Sequence, residues 1–137
     1  MINIQGITIE ETEEFLPDFG KINNVNSVIP VAVQHFETNE VILIAYTNRE
    51  ALLDALNTKM AVFWSTSRNE LWVKGATSGH YFDLVEVYVN CEQNSLVYKV
   101  RPQIGGICHT KDKFCQPRNC FYRRLNFETL QLENLNP

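Results

Sequence analysis

The chain has 137 residues, of which 45% are hydrophobic and 20% charged, a balance typical of one globular domain with a sizeable core. A net charge of −4, with no long block of Lys and Arg, argues against non-specific nucleic-acid binding, and no apolar run is long enough to span a membrane. The first five residues lack the basic and apolar regions of a signal peptide. We therefore expect a single cytoplasmic domain over residues 1–137, in which thiols stay reduced.

The N-terminal half predicts a hairpin and one helix. A short helix is expected from Glu10 to Leu16. Val28 to Phe36 is rich in β-branched residues and Val41 to Tyr46 is continuously apolar, so these two segments are expected to pair as a hairpin. The segment Thr47 to Glu50 fits a capping box with the Thr47 hydroxyl as N-cap. The helix that follows carries apolar residues at helical spacing and is expected to end near Asn57-Thr58.

The C-terminal half predicts more strands. Ala61 to Ser65 and Leu71 to Lys74 form a second hairpin candidate around a polar turn. Phe82 to Cys91 and Ser95 to Arg101 are two further β-rich runs joined by a short turn, whereas Phe121 to Leu130 shows no clear pattern. The expected fold class is α+β, with a mainly antiparallel β-sheet and few helices.

Four cysteines are the most informative feature of the sequence. Cys108, Cys115 and Cys120 lie close together, and Cys91 lies upstream in the predicted strand. Thiolate and imidazole are preferred zinc ligands, and zinc with one open position makes water nucleophilic at neutral pH. The spacing is not the paired C-x-x-C of a zinc ribbon, so ordinary thiols remain an alternative to a metal site. Strand alternation would place the Cys91 sulfur on one face and its polar neighbours on the other, which suggests two sites back to back or a subunit interface.

The segment from Phe63 to His80 combines two Trp residues with cationic and hydroxyl side chains. Aromatic faces can hold a heteroaromatic ring, while Arg68, Lys74 and the Ser78-Gly79 backbone can bind phosphate oxygens. The alternative, which composition alone favours, is a hairpin with a tryptophan core and solvated charges.

The chain contains three histidines. His80 and His109 are each candidates for a metal ligand or a general acid/base. His35 lies in a predicted strand with no polar partner in view, and we expect it to be structural or on the surface.

Taken together, these motifs resemble phosphoribosyl-AMP cyclohydrolase, a family that acts at the third step of histidine biosynthesis. The resemblance extends from about Val41 to Arg123. It is carried, in order, by Leu43-Ile44-Ala45-Tyr46-Thr47-Asn48-Arg49-Glu50-Ala51-Leu52, Phe63-Trp64-Ser65, Ser67-Arg68, Leu71-Trp72, Lys74-Gly75, Ser78-Gly79-His80, Cys108-His109-Thr110 and Cys120-Phe121-Tyr122-Arg123. The resemblance implies a hydrolase that opens the adenine ring of 1-(5-phosphoribosyl)-AMP at the N1–C6 bond.

The resemblance also implies an intertwined homodimer with zinc at the subunit interface. Cys91 would come from one subunit, and Cys108 with a later cysteine from the other. In the family this later cysteine lies seven positions after the start of the Cys-His-Thr motif and directly precedes an aromatic-Tyr-Arg segment. Here Cys115 keeps the spacing and Cys120 keeps the neighbours. We assign the ligand to Cys115, because loop length constrains ligand geometry more directly, with Cys120 as the alternative.

The implied substrate is a small nucleotide. By the resemblance, His109 or His80 would move the proton that the departing nitrogen needs. The residues expected to bind the nucleotide are Trp64, Ser65, Ser67, Arg68, Lys74, Ser78 and Gly79.

The sequence also departs from the family pattern. The family's Asp-Cys-Asp-x-Asp segment, whose carboxylates bind magnesium, is here Asn90-Cys91-Glu92-Gln93-Asn94. One carboxylate in place of three predicts that a magnesium site at Asn90, Glu92 and Asn94 is weakened or lost. Thr66 stands where Arg is usual, and Ala76 where Glu is usual. These changes leave two alternatives open, namely zinc hydrolysis of a different purine-like or cyclic amidine substrate, and a non-catalytic zinc-binding relative.

Overall fold

A computed structural model describes residues 12–19, 27–75, 81–103, 112–114 and 119–137. Within these ranges the chain forms one α-helix and eight β-strands, which confirms the α+β class. The elements are β1 (Ile29–His35), β2 (Val41–Thr47), α1 (Arg49–Thr58), β3 (Val62–Ser65), β4 (Glu70–Val73), β5 (Phe82–Val89), β6 (Leu96–Pro102), β7 (Arg123–Leu125) and β8 (Leu132–Asn134). In the part of the chain that the structure describes, no helix is long and apolar enough to cross a membrane.

The main sheet has four strands in the order β2-β1-β6-β5. The pairs β1–β2 and β5–β6 are antiparallel, and the first of them is a hairpin that the sequence predicts. The central pair β1–β6 is parallel, with Val31 opposite Leu96 and His35 opposite Val100. Two separate antiparallel hairpins, β3–β4 and β7–β8, complete the described fold. The mainly antiparallel sheet is therefore confirmed, with one parallel pair at its centre.

One face of the main sheet is covered and the other is open. On β1, Ile29, Val31 and Val33 are fully buried, because α1 and the β3–β4 hairpin pack over this face. The alternate residues Pro30 and Ala32 point the other way, as strand geometry requires. They line an apolar groove of about 390 Å³ together with Ile44, Tyr88, Val89, Asn90, Ser95, Leu96 and Val97.

The helix begins one residue later than the sequence predicts. Asn48 is the N-cap, and its side-chain oxygen accepts a hydrogen bond from the Ala51 backbone N–H at 2.9 Å. Thr47 ends β2 and is fully buried, and its hydroxyl donates to the Asn48 carbonyl at 3.2 Å. The predicted capping box on Thr47 is wrong because this hydroxyl is already engaged within the core. The helix ends at Thr58, as expected, with Lys59 in the left-handed conformation.

The helix predicted from Glu10 to Leu16 is wrong over the residues that the structure describes, 12–16, which form no helix. Backbone groups that a helix would use internally instead reach a distant part of the chain. The Leu16 N–H donates to the Gln93 side chain, which in turn donates to the Glu14 carbonyl. Pro17 also disfavours helical geometry at the residue before it. The C-terminal segment, to which the sequence assigned no class, forms β7 and β8.

Candidate active site

The β3–β4 hairpin forms one wall of a small pocket. Its strands pair Phe63 with Trp72 and Ser65 with Glu70, so the four residues between them make the turn. Phe63 is fully buried and anchors the hairpin on the core, with its ring 5.4 Å from that of Trp72. A pocket of about 160 Å³ lies between this hairpin and β2, and its lining consists of Ile44, Ala45, Tyr46, Trp64, Ser65, Thr66, Ser67 and Trp72.

Hydroxyl groups shape the turn of this hairpin. The Ser65 and Ser67 hydroxyls lie 3.4 Å apart, and the Ser65 hydroxyl also accepts from the Arg68 backbone N–H at 3.2 Å. The Arg68 side chain is 75% exposed, and its guanidinium lies 4.0 Å from the Glu70 carboxylate. An exposed pair of this kind contributes little to stability, so Arg68 can turn towards an anionic ligand at small cost.

Lys74 lies at the other end of the hairpin, after the last residue of β4. Its backbone N–H donates to the Ala61 carbonyl at 3.1 Å, and its ammonium lies 5.1 Å from the centre of the Phe82 ring. Lys74 lies four positions after Glu70, the first residue of β4, a distance of about 13 Å along the strand direction. The two predicted phosphate-binding cations therefore lie at opposite ends of one hairpin.

Trp64, one of the residues that line this pocket, carries an unsatisfied polar atom. Its indole nitrogen is buried and has no hydrogen-bond partner among the described residues. Buried Trp N–H groups usually have an acceptor, because an unpaired donor is costly. Trp64 can therefore donate to a polar atom of a bound molecule or of another chain.

A second buried polar group lies beneath the hairpin. Tyr98 of β6 is fully buried and stacks on Phe63, with ring centroids 5.9 Å apart. Burial raises the pKa of Tyr98 to about 12, an effect that a polar contact with Thr47 partly offsets. That contact falls short of hydrogen-bond geometry, and the Tyr98 hydroxyl has no other partner in the described ranges. Tyr98 is thus held in its neutral form and supports the hairpin from the core.

Cys91 lies in the turn between β5 and β6. The prediction that it belongs to a strand is wrong, because β5 ends at Val89 and residues 91–94 form turns and bends. The inference that its sulfur and its polar neighbours point to opposite faces fails for the same reason. Cys91 is exposed and forms no disulfide. Its turn borders the open apolar groove, which ends at Asn90 and Ser95.

The amides of Asn90 and Asn94 close this turn. The Asn90 side-chain oxygen accepts from the backbone N–H groups of Asn94 at 2.9 Å and Ser95 at 3.0 Å. The Asn90 side-chain nitrogen donates to the Asn94 side-chain oxygen at 2.5 Å. Both amide oxygens are therefore engaged, and Glu92 carries the only carboxylate among residues 90–94. Magnesium, which is usually anchored by carboxylates, does not fit this set of donors.

The described donors are of the type that zinc prefers, but too few of them lie together to hold the ion. Cys91 is a suitable thiolate ligand. Cys120 is also exposed, but the neighbouring Asn119 donates to the Val41 carbonyl of β2 at 2.9 Å, on the far edge of the sheet from β5. Two or more strand spacings, at least about 10 Å, separate these regions, far more than one ion can bridge. Accordingly, no group of three His, Cys, Asp or Glu residues among the described residues is arranged to hold a metal ion.

The remaining predicted site residues lie outside the described residues. These are Ser78, Gly79, His80, Cys108, His109 and Cys115. His35 lies at the end of β1, where its Nδ1 accepts from the Glu37 backbone N–H at 3.1 Å. It therefore has the structural role that the sequence predicts. Two contributions were missed, namely the β2 side of the pocket and the polar links of Gln93. The continuously apolar sequence of β2 gives no signal for the first, and the second depends on contacts distant in sequence.

Comparison with known proteins identifies the family. The family model of phosphoribosyl-AMP cyclohydrolase matches residues 43–122. A phosphoribosyl-AMP cyclohydrolase of Hyphomonas neptunium is 41% identical over 122 residues, which cover 89% of this chain and 86% of that protein. One from Methanothermobacter thermautotrophicus is 45% identical over 111 residues, covering 81% and 75%. The histidine biosynthesis bifunctional protein HisIE of Thermus thermophilus is 47% identical over 98 residues, covering 72% of this chain and 43% of that protein.

The match spans the pocket hairpin, the Cys91 turn and the Cys-His-Thr motif, so a non-catalytic relative is not retained as an alternative. The chain belongs to the phosphoribosyl-AMP cyclohydrolase family and is an enzyme of the cyclohydrolase type.

Proposed function

We propose that this enzyme opens the adenine ring of 1-(5-phosphoribosyl)-AMP at the N1–C6 bond, in histidine biosynthesis, as a zinc-dependent homodimer. The observation that carries the proposal is the family match over residues 43–122, which includes both the pocket hairpin and the Cys91 turn. The names of the relatives supply the substrate and the pathway. A cytoplasmic location, expected from the cysteine usage, stays a prediction.

The pocket beside β3–β4 suits a purine ring. Trp64 and Trp72 supply aromatic surface, and the Trp64 indole N–H supplies a buried donor that has no partner among the described residues. A ring nitrogen or ribose oxygen that accepts from this N–H would satisfy it, and would fix the orientation of the ring.

The two phosphates of the substrate would bind to different ends of the hairpin. Arg68 lies in the turn, and Lys74 follows the last residue of β4, at the other end of the hairpin. A substrate that carries a phosphate on each of two riboses needs two separated cations. Guanidinium and ammonium groups bind phosphate oxygens through charge-assisted hydrogen bonds. The Ser78-Gly79 backbone is a further proposed phosphate ligand.

The reaction requires movement of a proton. Water adds to C6 of the ring, the bond from C6 to N1 breaks, and N1 takes a proton as it departs. His109 is the proposed carrier of this proton, with His80 as the alternative, because imidazole gains and loses a proton near neutral pH.

We propose that zinc is held between two chains by Cys91 of one chain and by Cys108 and Cys115 of the other. When bound, zinc supplies a nucleophilic hydroxide from water at neutral pH. Two features support a site shared between chains. Cys91 lies beside an open apolar groove of about 390 Å³ that a second copy can cover. The region of Cys120 lies on the far edge of the sheet, so its thiol cannot join Cys91 within one chain.

A second candidate substrate follows from Thr66. This residue lines the pocket at the position where the family resemblance leads us to expect Arg. The loss of that cation, together with the amide-closed turn at Asn90, favours a different purine-like or cyclic amidine ring as the alternative substrate.

Metal analysis tests the zinc part of the proposal. Each proposed site uses one Cys91, one Cys108 and one Cys115, so purified protein should contain about one zinc per chain. Cys91→Ser and Cys115→Ser should each lose the zinc. Cys120→Ser is the matched control and should keep it. Loss of zinc in Cys120→Ser but not in Cys115→Ser would show that the later cysteine ligand is Cys120. A folded wild type that takes up no zinc would contradict the zinc proposal.

A further inference from the structure

The segment from Thr12 to Phe19, here called the strap, contacts the turn that carries Cys91. Phe19 is buried, with the Arg49 guanidinium of α1 5.5 Å from the centre of its ring. Phe15 contacts the same groove as Leu56 of α1 and Val87 of β5. The strap lies before the range that the family model matches, 43–122.

Gln93 joins the strap to the turn through three hydrogen bonds. Its side-chain oxygen accepts from the Leu16 N–H at 2.5 Å, and its side-chain nitrogen donates to the Glu14 carbonyl at 3.1 Å. Its backbone carbonyl also accepts from the Asp18 N–H at 2.8 Å. Gln93 is 3% exposed, and the oxygen and the nitrogen of its buried amide each have a hydrogen-bond partner. A buried, fully paired amide of this kind fixes the two segments that it joins.

The same residue controls the shape of the turn. Gln93 has a left-handed backbone, with φ of 54°, and its N–H donates to the Asn90 carbonyl at 3.0 Å. Cys91 therefore lies between Asn90, which is tied to Asn94 and Ser95, and Gln93, which is tied to the strap. Left-handed geometry is unfavourable for Gln, and the contacts to the strap offset this cost.

We propose that Gln93 is a positioning residue, which uses the strap to hold the Cys91 thiol in the direction required for the shared metal site. The inference rests on the proposed role of Cys91 as a ligand. Ligands of a metal site need support from neighbouring hydrogen bonds, because a small change in direction weakens binding. The strap would supply that support for the one predicted zinc ligand that lies in the turn between β5 and β6.

Gln93→Asn is the informative variant. Asn adopts the left-handed backbone readily, so the turn geometry is retained, but its side chain is one methylene too short to reach the strap. Gln93→Glu keeps the length and the acceptor for Leu16, but it replaces the donor to Glu14 by a buried carboxylate oxygen, so its effect should be at least as large as that of Gln93→Asn. Gln103→Asn is the matched control, since the Gln103 amide is exposed and donates to Asp83 at 2.6 Å.

Three measurements on the full chain decide the proposal. In metal-free protein, Gln93→Asn should speed amide exchange at Asn94 and Ser95, and alkylation of Cys91 mapped by mass spectrometry, each by about tenfold. In competition with a chelator, the zinc affinity should fall by about tenfold. Gln93→Glu should match or exceed Gln93→Asn, and Gln103→Asn should match the wild type.

The proposal is overturned if Gln93→Asn frees only the Leu16 amide and leaves the exchange of the turn and the alkylation of Cys91 unchanged. Gln93 would then anchor the N-terminal segment and nothing more. A wild type that binds no zinc would contradict the proposed function instead, and the exchange and alkylation rates would still decide the role of Gln93.

Discussion

Asn90 and Asn94 bond to each other across the turn that carries Cys91, side chain to side chain at 2.5 Å and side chain to backbone at 2.9 Å. The family resemblance places magnesium-binding carboxylates at these two positions. Two amide side chains can hydrogen-bond to each other, because each has both a donor and an acceptor, whereas two ionised carboxylates have only acceptors. The turn in this chain is thus closed by its own side chains, at the same place where a cation would otherwise screen neighbouring negative charges.

The first prediction is that magnesium leaves the wild type unchanged, and that carboxylates create a dependence on it. Asn90→Asp combined with Asn94→Asp removes the amide donor and places two negative charges together, so stability without magnesium should fall by about 1–3 kcal/mol. Magnesium should restore it, as measured by thermal unfolding with and without the ion. Asn126→Asp is the control, because Asn126 accepts from the Glu128 and Thr129 N–H groups in a distant turn. A large magnesium effect on the wild type would contradict this account.

The second prediction concerns the Trp64 indole. Trp64→Phe keeps an aromatic face and removes the buried donor, so KM should rise by about three- to tenfold if that N–H bonds the substrate. The same change at Trp72, which is 38% exposed and tilts against Phe63, should have a smaller effect. Steady-state kinetics on both variants make the comparison. Equal effects would show that only aromatic surface matters.

The third prediction concerns phosphate binding by Arg68. Arg68→Ala should raise KM by about tenfold or more, through loss of a charge-assisted hydrogen bond, and should reduce the dependence of KM on salt. Its melting temperature should stay near that of the wild type, because the side chain is 75% exposed. Arg124→Ala is matched to it, since Arg124 is also exposed and lies 3.7 Å from Glu133. Similar KM values for the two variants would exclude the proposed role of Arg68.

The fourth prediction concerns alkaline stability. Burial raises the pKa of Tyr98 to about 12, against an unfolded value near 10. Between these values the unfolded chain binds fewer protons than the folded one, so the free energy of unfolding falls as pH rises, by about 2–3 kcal/mol over the interval. Below pH of about 10 this group contributes no pH dependence. The measurement is denaturant unfolding of wild type and Tyr98→Phe at pH 8 and pH 11.

Tyr98→Phe should lose less stability than the wild type between these two pH values. At pH 8 it should be as stable as the wild type or slightly more so, because the hydroxyl has no hydrogen-bond partner among the described residues. Equal losses in both proteins would show that other groups govern the alkaline transition.

Local patterns in the sequence were sufficient for most of the fold. The alternation of β1, the apolar run of β2 and the spacing of Ala51, Leu52 and Ala55 each report a face buried against the core, which is a property of neighbouring residues. The N-cap is Asn48 and not Thr47, because the buried Thr47 hydroxyl donates to the Asn48 carbonyl. The spacing of residues in the sequence does not reveal this hydrogen bond.

Two of the misses share a physical cause, since they depend on contacts between distant residues. The parallel pairing of Val31 with Leu96 joins segments 65 positions apart in the sequence. Residues 12–16 form no helix because Gln93 bonds Glu14 and Leu16 from 77 to 79 positions away. For the site, the sequence identified Trp64, Ser65 and Ser67, which line one pocket. It did not show that Asn90 and Asn94 bond to each other, because strand alternation was assumed there.

The most direct test of the central claim is turnover of 1-(5-phosphoribosyl)-AMP by zinc-loaded protein, followed by the absorbance of the ring-opened product. The account predicts turnover by the wild type, retained turnover by Cys120→Ser and loss of turnover by Cys91→Ser. Wild-type protein that holds zinc and leaves this substrate intact would contradict the proposed function. Such a result would favour another purine-like or cyclic amidine ring as the substrate.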